Sequence, residues 1–213
     1  LERSGVDPES LDLIIVAHNF GDVAADNRRS DLVPSLAARV KHGLGIANPW
    51  SVAFDVAFGC PGWLQGVLIA HDALRAGEAR RALVIGAETL SRVSDPHDRD
   101  SMIYADGAGA TVLEARADDG GGPVGILASA TRSDARDHVR LLWMGESHEA
   151  ERPGRDLFLQ MERPKLYKYA CHVVPELVLR ALGRAGASLG QVSKILIHQA
   201  NAKMDEAIVR RVF

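Results

Sequence analysis

The stretch from Val52 to Gly77, VAFDVAFGCPGWLQGVLIAHDALRAG, constrains the fold more than any other. Val52, Phe54, Val56 and Phe58 alternate with smaller or polar residues, which is the spacing of a strand. Pro61 suits the first helical position, where its missing N–H would be unpaired anyway, and this makes Cys60 the cap. Trp63, Leu64, Val67, Leu68, His71 and Leu74 follow at helical spacing, Ile69 and Ala70 extend the apolar surface, and Gly77 supplies the stop. A helix apolar on most sides predicts burial on most sides.

A cysteine where a helix begins lies near unpaired N–H groups and the positive end of the helix dipole. Both favour the thiolate, which is the nucleophilic form. A strand–turn–helix elbow also presents a nucleophile at a sheet edge. Free cysteine is equally among the most buried residue types, so an inert core thiol is the competing reading. The position at the helix start favours the nucleophile.

The surroundings of this elbow read as α/β. Leu13–Ala17 and Ala82–Gly86 are short apolar runs fit for buried parallel strands. Thr111–Glu114, Gly125–Ala130 and Lys194–Ile197 read as further strands. Pro34–His42, Pro164–Gly183 and a segment opening near Asn201 read as helices, with Pro175 expected to kink or split the second. Gly21–Asp31, Thr89–Ser101 and Ser133–Arg163 are polar or irregular, and Gly120–Pro123 is a turn. Gly5–His18 and Gly186–His198 echo one another: a glycine stop, a polar turn, a buried strand and a terminal histidine. Strands alternating with helices predict helices on both faces of the sheets. Both ends read as cut, Leu1–Gly5 as a helix tail and Asp205–Phe213 as a helix still in progress.

Composition narrows the function. A net charge of −3 gives no bulk electrostatic case for nucleic acid. No apolar run approaches the length of a membrane span and no signal-peptide pattern opens the sequence. Cys60 and Cys171 do not make a disulfide framework, so a reducing, cytoplasmic home is expected. Eight histidines include no HExxH and no CxxC partner, so no metal site is expected. Asp106–Ala110, DGAGA, lacks the lysine of a phosphate loop, and its glycines predict close packing of backbone on the central helix. His198 follows a short apolar run, and strand ends are where open α/β sheets place ligands. Cys60 and His198 form the candidate pair, because a thiol nucleophile needs a base or cation nearby. Cys171, inside a helix, reads as inert.

These segments resemble the ketoacyl-acyl-carrier-protein synthase III group of thiolase-fold condensing enzymes. The likeness lies in AFDVAFGCPGWLQG around Cys60, ALVIGAETLSR from Ala82, DPHDRD from Asp95, DGAGATVLE from Asp106 and ILIHQAN ending at Asn201, in the expected order. It implies a layered αβαβα fold with internal duplication, mixed sheets and a buried central helix starting at the cysteine. Residues 1–115 would be the N-terminal half and 116–213 the beginning of the C-terminal half.

The resemblance also implies a decarboxylative Claisen condensation of an acyl-CoA primer with malonyl-acyl-carrier-protein, without a cofactor. Cys60 would carry the acyl group and His198 would stabilise the enolate. Arg99 matches the arginine that contacts the CoA nucleotide, Lys203 a basic residue that docks the carrier protein, and Tyr104 and Val33 positions lining the acyl pocket, Val33 from across a homodimer interface. The family's asparagine belongs to an HGN motif that is absent here, and Asn201 belongs to HQAN instead. Pro-Gly-Trp follows Cys60 where the family more often has small residues and Phe or Tyr, and Glu162-Arg163-Pro164 replaces a small, glycine-containing segment of the family's CoA tunnel. A secondary-metabolite ketosynthase, an acyltransferase with another acceptor, or a non-catalytic partner subunit are the alternatives.

Overall fold

A computed structural model describes residues 1–26, 28–117, 120–122, 124–149 and 156–213. The chain separates into two compact units, Leu1–Ser94 with Tyr104–Gly121, and Asp95–Ile103 with Gly122–Phe213.

The first unit is built on a four-stranded mixed sheet in the order β2-β1-β3-β4. Its strands are β1 (Leu13–His18), β2 (Val52–Ala57), β3 (Arg81–Thr89) and β4 (Asp106–Glu114). β1 runs parallel to both β2 and β3, and β4 is antiparallel to β3. The apolar run of β1 is buried on both faces, as a central parallel strand requires.

Alternation along β1 sorts the core into two layers. Ile14 and Val16 pack with Leu11, Ala37, Ile46 and Leu83 beneath α1 (Leu36–Gly43). Ile15 and Ala17 face the other side, where α2 (Gly62–Ala76) lies. Helices thus cover both faces. α2 approaches closely because Gly66 has no side chain: a Cβ there would sit 2.9 Å from Val84 Cγ1 and 3.4 Å from Ile15 Cγ2.

Three expectations for this unit are corrected. α2 starts at Gly62 with Pro61 as its cap residue, not at Cys60. The Gly62 N–H instead donates to the Gly59 carbonyl at 2.7 Å, and this turn takes up Cys60 before helical geometry begins. α2 is buried on one face only, through Gly62, Gly66, Val67 and Ala70, while Trp63 and Leu64 stay 42 % and 53 % exposed. DGAGA opens β4, and its glycines serve no close approach to this helix: a Cβ at Gly107 or Gly109 would meet nothing within 4 Å.

The second unit holds a short helix α3 (Ala135–His138), an antiparallel pair β5 (Leu142–Gly145) and β6 (Phe158–Met161), and two helices, α4 (Arg163–Ala185) and α5 (Ala202–Val212). Cys171, Val173, Ile208 and Val212 are buried on these helices. α4 runs unbroken through Pro175, where a kink or split was expected. Neither 125–130 nor Lys194–Ile197 forms a strand. A strand needs a ladder partner, and among the described residues neither run has one; Leu196 is 92 % exposed. Pro123 of the expected turn lies outside the described residues.

Candidate active site

In the first unit the carboxyl ends of the parallel strands β1 and β2 finish at His18 and Ala57, beside the elbow Phe58–Pro61. A Cβ at Gly62 would meet Ala17 Cβ at 3.1 Å, and one at Gly59 would meet the Asn19 side-chain amide at 3.4 Å. The end of β1 therefore supports the turn that carries Cys60. Cys60 as a residue is exposed, so reagents can reach it. Its sulfur is nonetheless crowded enough that desolvation pushes the thiol above its ordinary value. Its own backbone N–H pulls the other way, and the charge of Glu88 pushes further up. The helix-start argument for a ready thiolate is thus overturned here: α2 begins two residues on, and burial outweighs the backbone.

Two carboxylates organise this strand end, and sequence reasoning missed both. Glu88, near the end of β3, accepts hydrogen bonds from the Asn19 and Phe20 N–H groups, each at 2.8 Å. Asp55, inside β2, accepts from the Leu36 and Ala37 N–H groups at 2.8 Å and so closes the N-terminus of α1. It also pairs with His18 Nε2 at 3.0 Å. The Gly21 N–H lies 3.2 Å from His18 Nδ1 and can only donate, so the ring proton sits on Nε2 and points at Asp55. Desolvation works against the Asp55 charge, yet the bonds from His18, Ala37 and Leu36 hold its pKa below the ordinary value. A charged residue amid the apolar run VAFDVAF was the available signal.

The other candidates divide between the units. Val33, 85 % exposed, and Tyr104, half-buried, belong with Cys60 to the first. Arg99, His198 and Lys203 belong to the second. His198 is exposed in the irregular segment before α5, where its carbonyl accepts from the Ala200 N–H at 3.0 Å. Asn201 caps α5, its side chain accepting from the Met204 N–H at 2.9 Å, and Lys203 is exposed in the first turn of that helix.

Arg99 lies on a segment that buried chemistry holds in shape. The Asp95 carboxylate accepts from the His97 and His148 N–H groups, the Ser147 hydroxyl and His148 Nδ1, at 2.7–3.1 Å. Burial would raise its pKa, but these four donors bring it down to about 2. Asp100 adds an ion pair to Arg163 at 2.6 Å. Arg99 itself is 93 % exposed, with its Nε 3.6 Å from Asp100. Among the described residues no group of three His, Cys, Asp or Glu could hold a metal ion, and no helix is long and apolar enough to cross a membrane.

The family model for 3-oxoacyl-[acyl-carrier-protein] synthase III matches residues 54–135. Over its whole length the chain is 36 % identical to the beta-ketoacyl-[acyl-carrier-protein] synthase III of Erythrobacter litoralis and 33 % identical to that of Bradyrhizobium diazoefficiens. It spans 62 % of the length of each. The whole chain also superposes on the crystal structure of the Aquifex aeolicus 3-oxoacyl-[acyl-carrier-protein] synthase III, with TM-score 0.82, 29 % identity and 61 % of that chain covered. The priming beta-ketosynthase of the R1128 polyketide pathway matches with TM-score 0.80, at 29 % identity and with 60 % of that chain covered. The resemblance read from the motifs is borne out, and the fold is thiolase-like.

Proposed function

We infer, from this kinship with the beta-ketoacyl-[acyl-carrier-protein] synthase III family, that the protein is a condensing acyltransferase that initiates fatty acid biosynthesis. The observation that carries the reading is the exposed Cys60 on a strand–turn–helix elbow at the carboxyl ends of parallel strands. Cys60 loses its proton and its sulfur attacks the carbonyl of an acyl-CoA. The C–S bond to CoA breaks, CoA leaves as the thiol, and the acyl group stays on the cysteine. Malonyl-acyl-carrier-protein then loses carbon dioxide, and the electron pair released becomes an enolate. That carbon attacks the acyl-cysteine carbonyl, forms the new C–C bond and expels the Cys60 thiolate. The product is a 3-oxoacyl-acyl-carrier-protein.

In this scheme His198 hydrogen-bonds the malonyl thioester oxygen as charge develops there. Arg99 contacts the CoA nucleotide, Tyr104 and Val33 line the acyl pocket, and Lys203 helps dock the carrier protein. Val33 would reach its pocket across a homodimer in which β2, an edge strand here, pairs with its mate. Residues 1–115 and 116–213 correspond to the two halves of the duplicated fold, and the protein works in the cytoplasm. Incubation with radiolabelled acyl-CoA should place label on Cys60. A Cys60→Ala variant that condenses as fast as wild type would overturn the reading.

A second reading, a priming ketosynthase of secondary metabolism, draws on the similarity to the R1128 enzyme. The acyl-cysteine step is common to both, so turnover with malonyl-carrier-protein from each kind of pathway, and with malonyl-CoA, separates them.

A further inference from the structure

Glu88 stands out because it is charged, spends both oxygens on backbone, and lies on the cysteine's side of the sheet. Ile15 and Ala17 pair with Val84 and Gly86 across the parallel ladder, and these residues face α2. Alternation puts Glu88, two residues past Gly86, on the same face. The helix descends this face toward the strand ends: Gly66 lies over Val84 and Ile15, and Trp63 over Gly86, where a Cβ would be 3.0 Å from Trp63 Cβ. The next step in that direction reaches Glu88 on the sheet and the Cys60 elbow on the chain leading into α2.

Glu88 also closes the turn that follows β1. Its carboxylate takes the N–H groups of Asn19 and Phe20, while Thr89 binds the Phe20 carbonyl through its N–H at 2.8 Å and its hydroxyl at 2.6 Å. The Asn19 side chain then lies against Gly59, the residue before the nucleophile. Resting on the reading of Cys60 as that nucleophile, we propose that Glu88 is a positioning residue for it. Its carboxylate fixes the Asn19–Phe20 turn against the elbow and keeps a negative charge on the sheet face beside the sulfur.

Three other carboxylates and one histidine around this end are engaged elsewhere. His18 and Asp55 bind each other, with Asp55 turned to the N-terminus of α1. Asp22 is paired with Arg39, and Asp106 at the start of β4 is held by Ser91. Glu88 is the carboxylate whose charge acts on the Cys60 thiol, and it acts to keep the proton on. The resting sulfur stays a thiol, less open to stray oxidation and alkylation, until its proton is taken for acyl transfer.

The test is the pH dependence of iodoacetamide labelling at Cys60, followed by peptide mass mapping. Removing the charge with Glu88→Gln should lower the midpoint by roughly half to one pH unit. Labelling at pH 7 should then be about three- to tenfold faster. Glu88→Asp keeps the charge but cannot span both N–H groups, so its midpoint should stay near wild type while amide exchange at Asn19 and Phe20 accelerates. Glu88→Ala serves as the second neutral variant should glutamine disturb the turn. A neutral, folded variant whose profile superimposes on wild type overturns the proposal, as does an Asp variant shifted as far as the Gln variant. Labelling needs no condensation activity, so a shifted profile in a protein that never accepts acyl groups would refute the synthase reading and leave Glu88's role standing.

Discussion

Arg211 on α5 donates a hydrogen bond to the backbone carbonyl of Cys171 on α4. That carbonyl is the one Pro175, four residues on, cannot serve, since proline has no N–H. The guanidinium thus completes the helix that proline interrupts, and it joins α4 to α5 at that point. An internal proline need not break a helix when a side chain from a neighbour meets the orphaned acceptor.

The pair should behave non-additively. Arg211→Met leaves the Cys171 carbonyl unmet and should destabilise the protein by roughly 1–2 kcal/mol. Pro175→Ala restores an N–H that can reach that carbonyl, so adding Arg211→Met to it should cost visibly less. Urea unfolding of the four proteins measures the coupling, and additive effects would refute the link.

Two glycine substitutions should have opposite outcomes. Gly66→Ala pushes a methyl to 2.9 Å from Val84 Cγ1, a stiff β-branched neighbour between helix and sheet. It should destabilise by about 1–3 kcal/mol. Gly109→Ala adds its methyl where nothing lies within 4 Å, on a strand that gains from a side chain. It should be neutral or stabilise by roughly 0.5 kcal/mol. Thermal melts of the two variants decide it.

Acid should loosen the Asp95 loop in a defined window. Its pKa falls from an ordinary 3.8 to about 2 on folding, so its contribution is complete above pH 4 and drains away as pH drops toward 2. The Asp95 side chain is fully covered while its partner His148 is half exposed, so screening trims the effect to roughly 1–2 kcal/mol. Asp95→Asn should lower stability at pH 7 and flatten its fall between pH 4 and 2. Chemical denaturation across that range, monitored by circular dichroism, would show an unchanged slope if the loop carboxylate were idle.

What could be read from the sequence, and what could not, follows from the range of the forces involved. β1, β2, β3, α1 and α4 were legible because periodicity and glycine or proline punctuation are local. The runs at 125–130 and 194–197 looked like strands because apolar residues announce burial, while a strand also needs a hydrogen-bonded neighbour, which no local pattern specifies. Cys60 was found by its place between strand and helix, but its distance from the helix start turned on one backbone bond, Gly62 to Gly59. The roles of Glu88, Asp55 and Asp95 escaped notice because their partners lie 68, 19 and 53 residues away, and a carboxylate in a sequence does not announce the N–H groups it will meet.

Arg99 and Arg163 both address Asp100, and the contrast between them separates a binding residue from a structural one. Arg163 is mostly covered and holds Asp100 at 2.6 Å, whereas Arg99 projects into solvent at 3.6 Å. An exposed side chain with so loose a pairing adds little to folding, so Arg99→Ala should change stability by less than about 0.5 kcal/mol. If Arg99 meets CoA phosphates, losing that charge should raise the KM for acyl-CoA by roughly tenfold, about 1.4 kcal/mol, with kcat little changed, because the phosphates lie far from the reacting carbon. Arg163→Ala should show the opposite balance: a measurable loss of stability and a smaller, indirect rise in KM. Melting temperature and acyl-CoA saturation curves for both variants would overturn the assignment if Arg99→Ala unfolded the protein or left KM untouched.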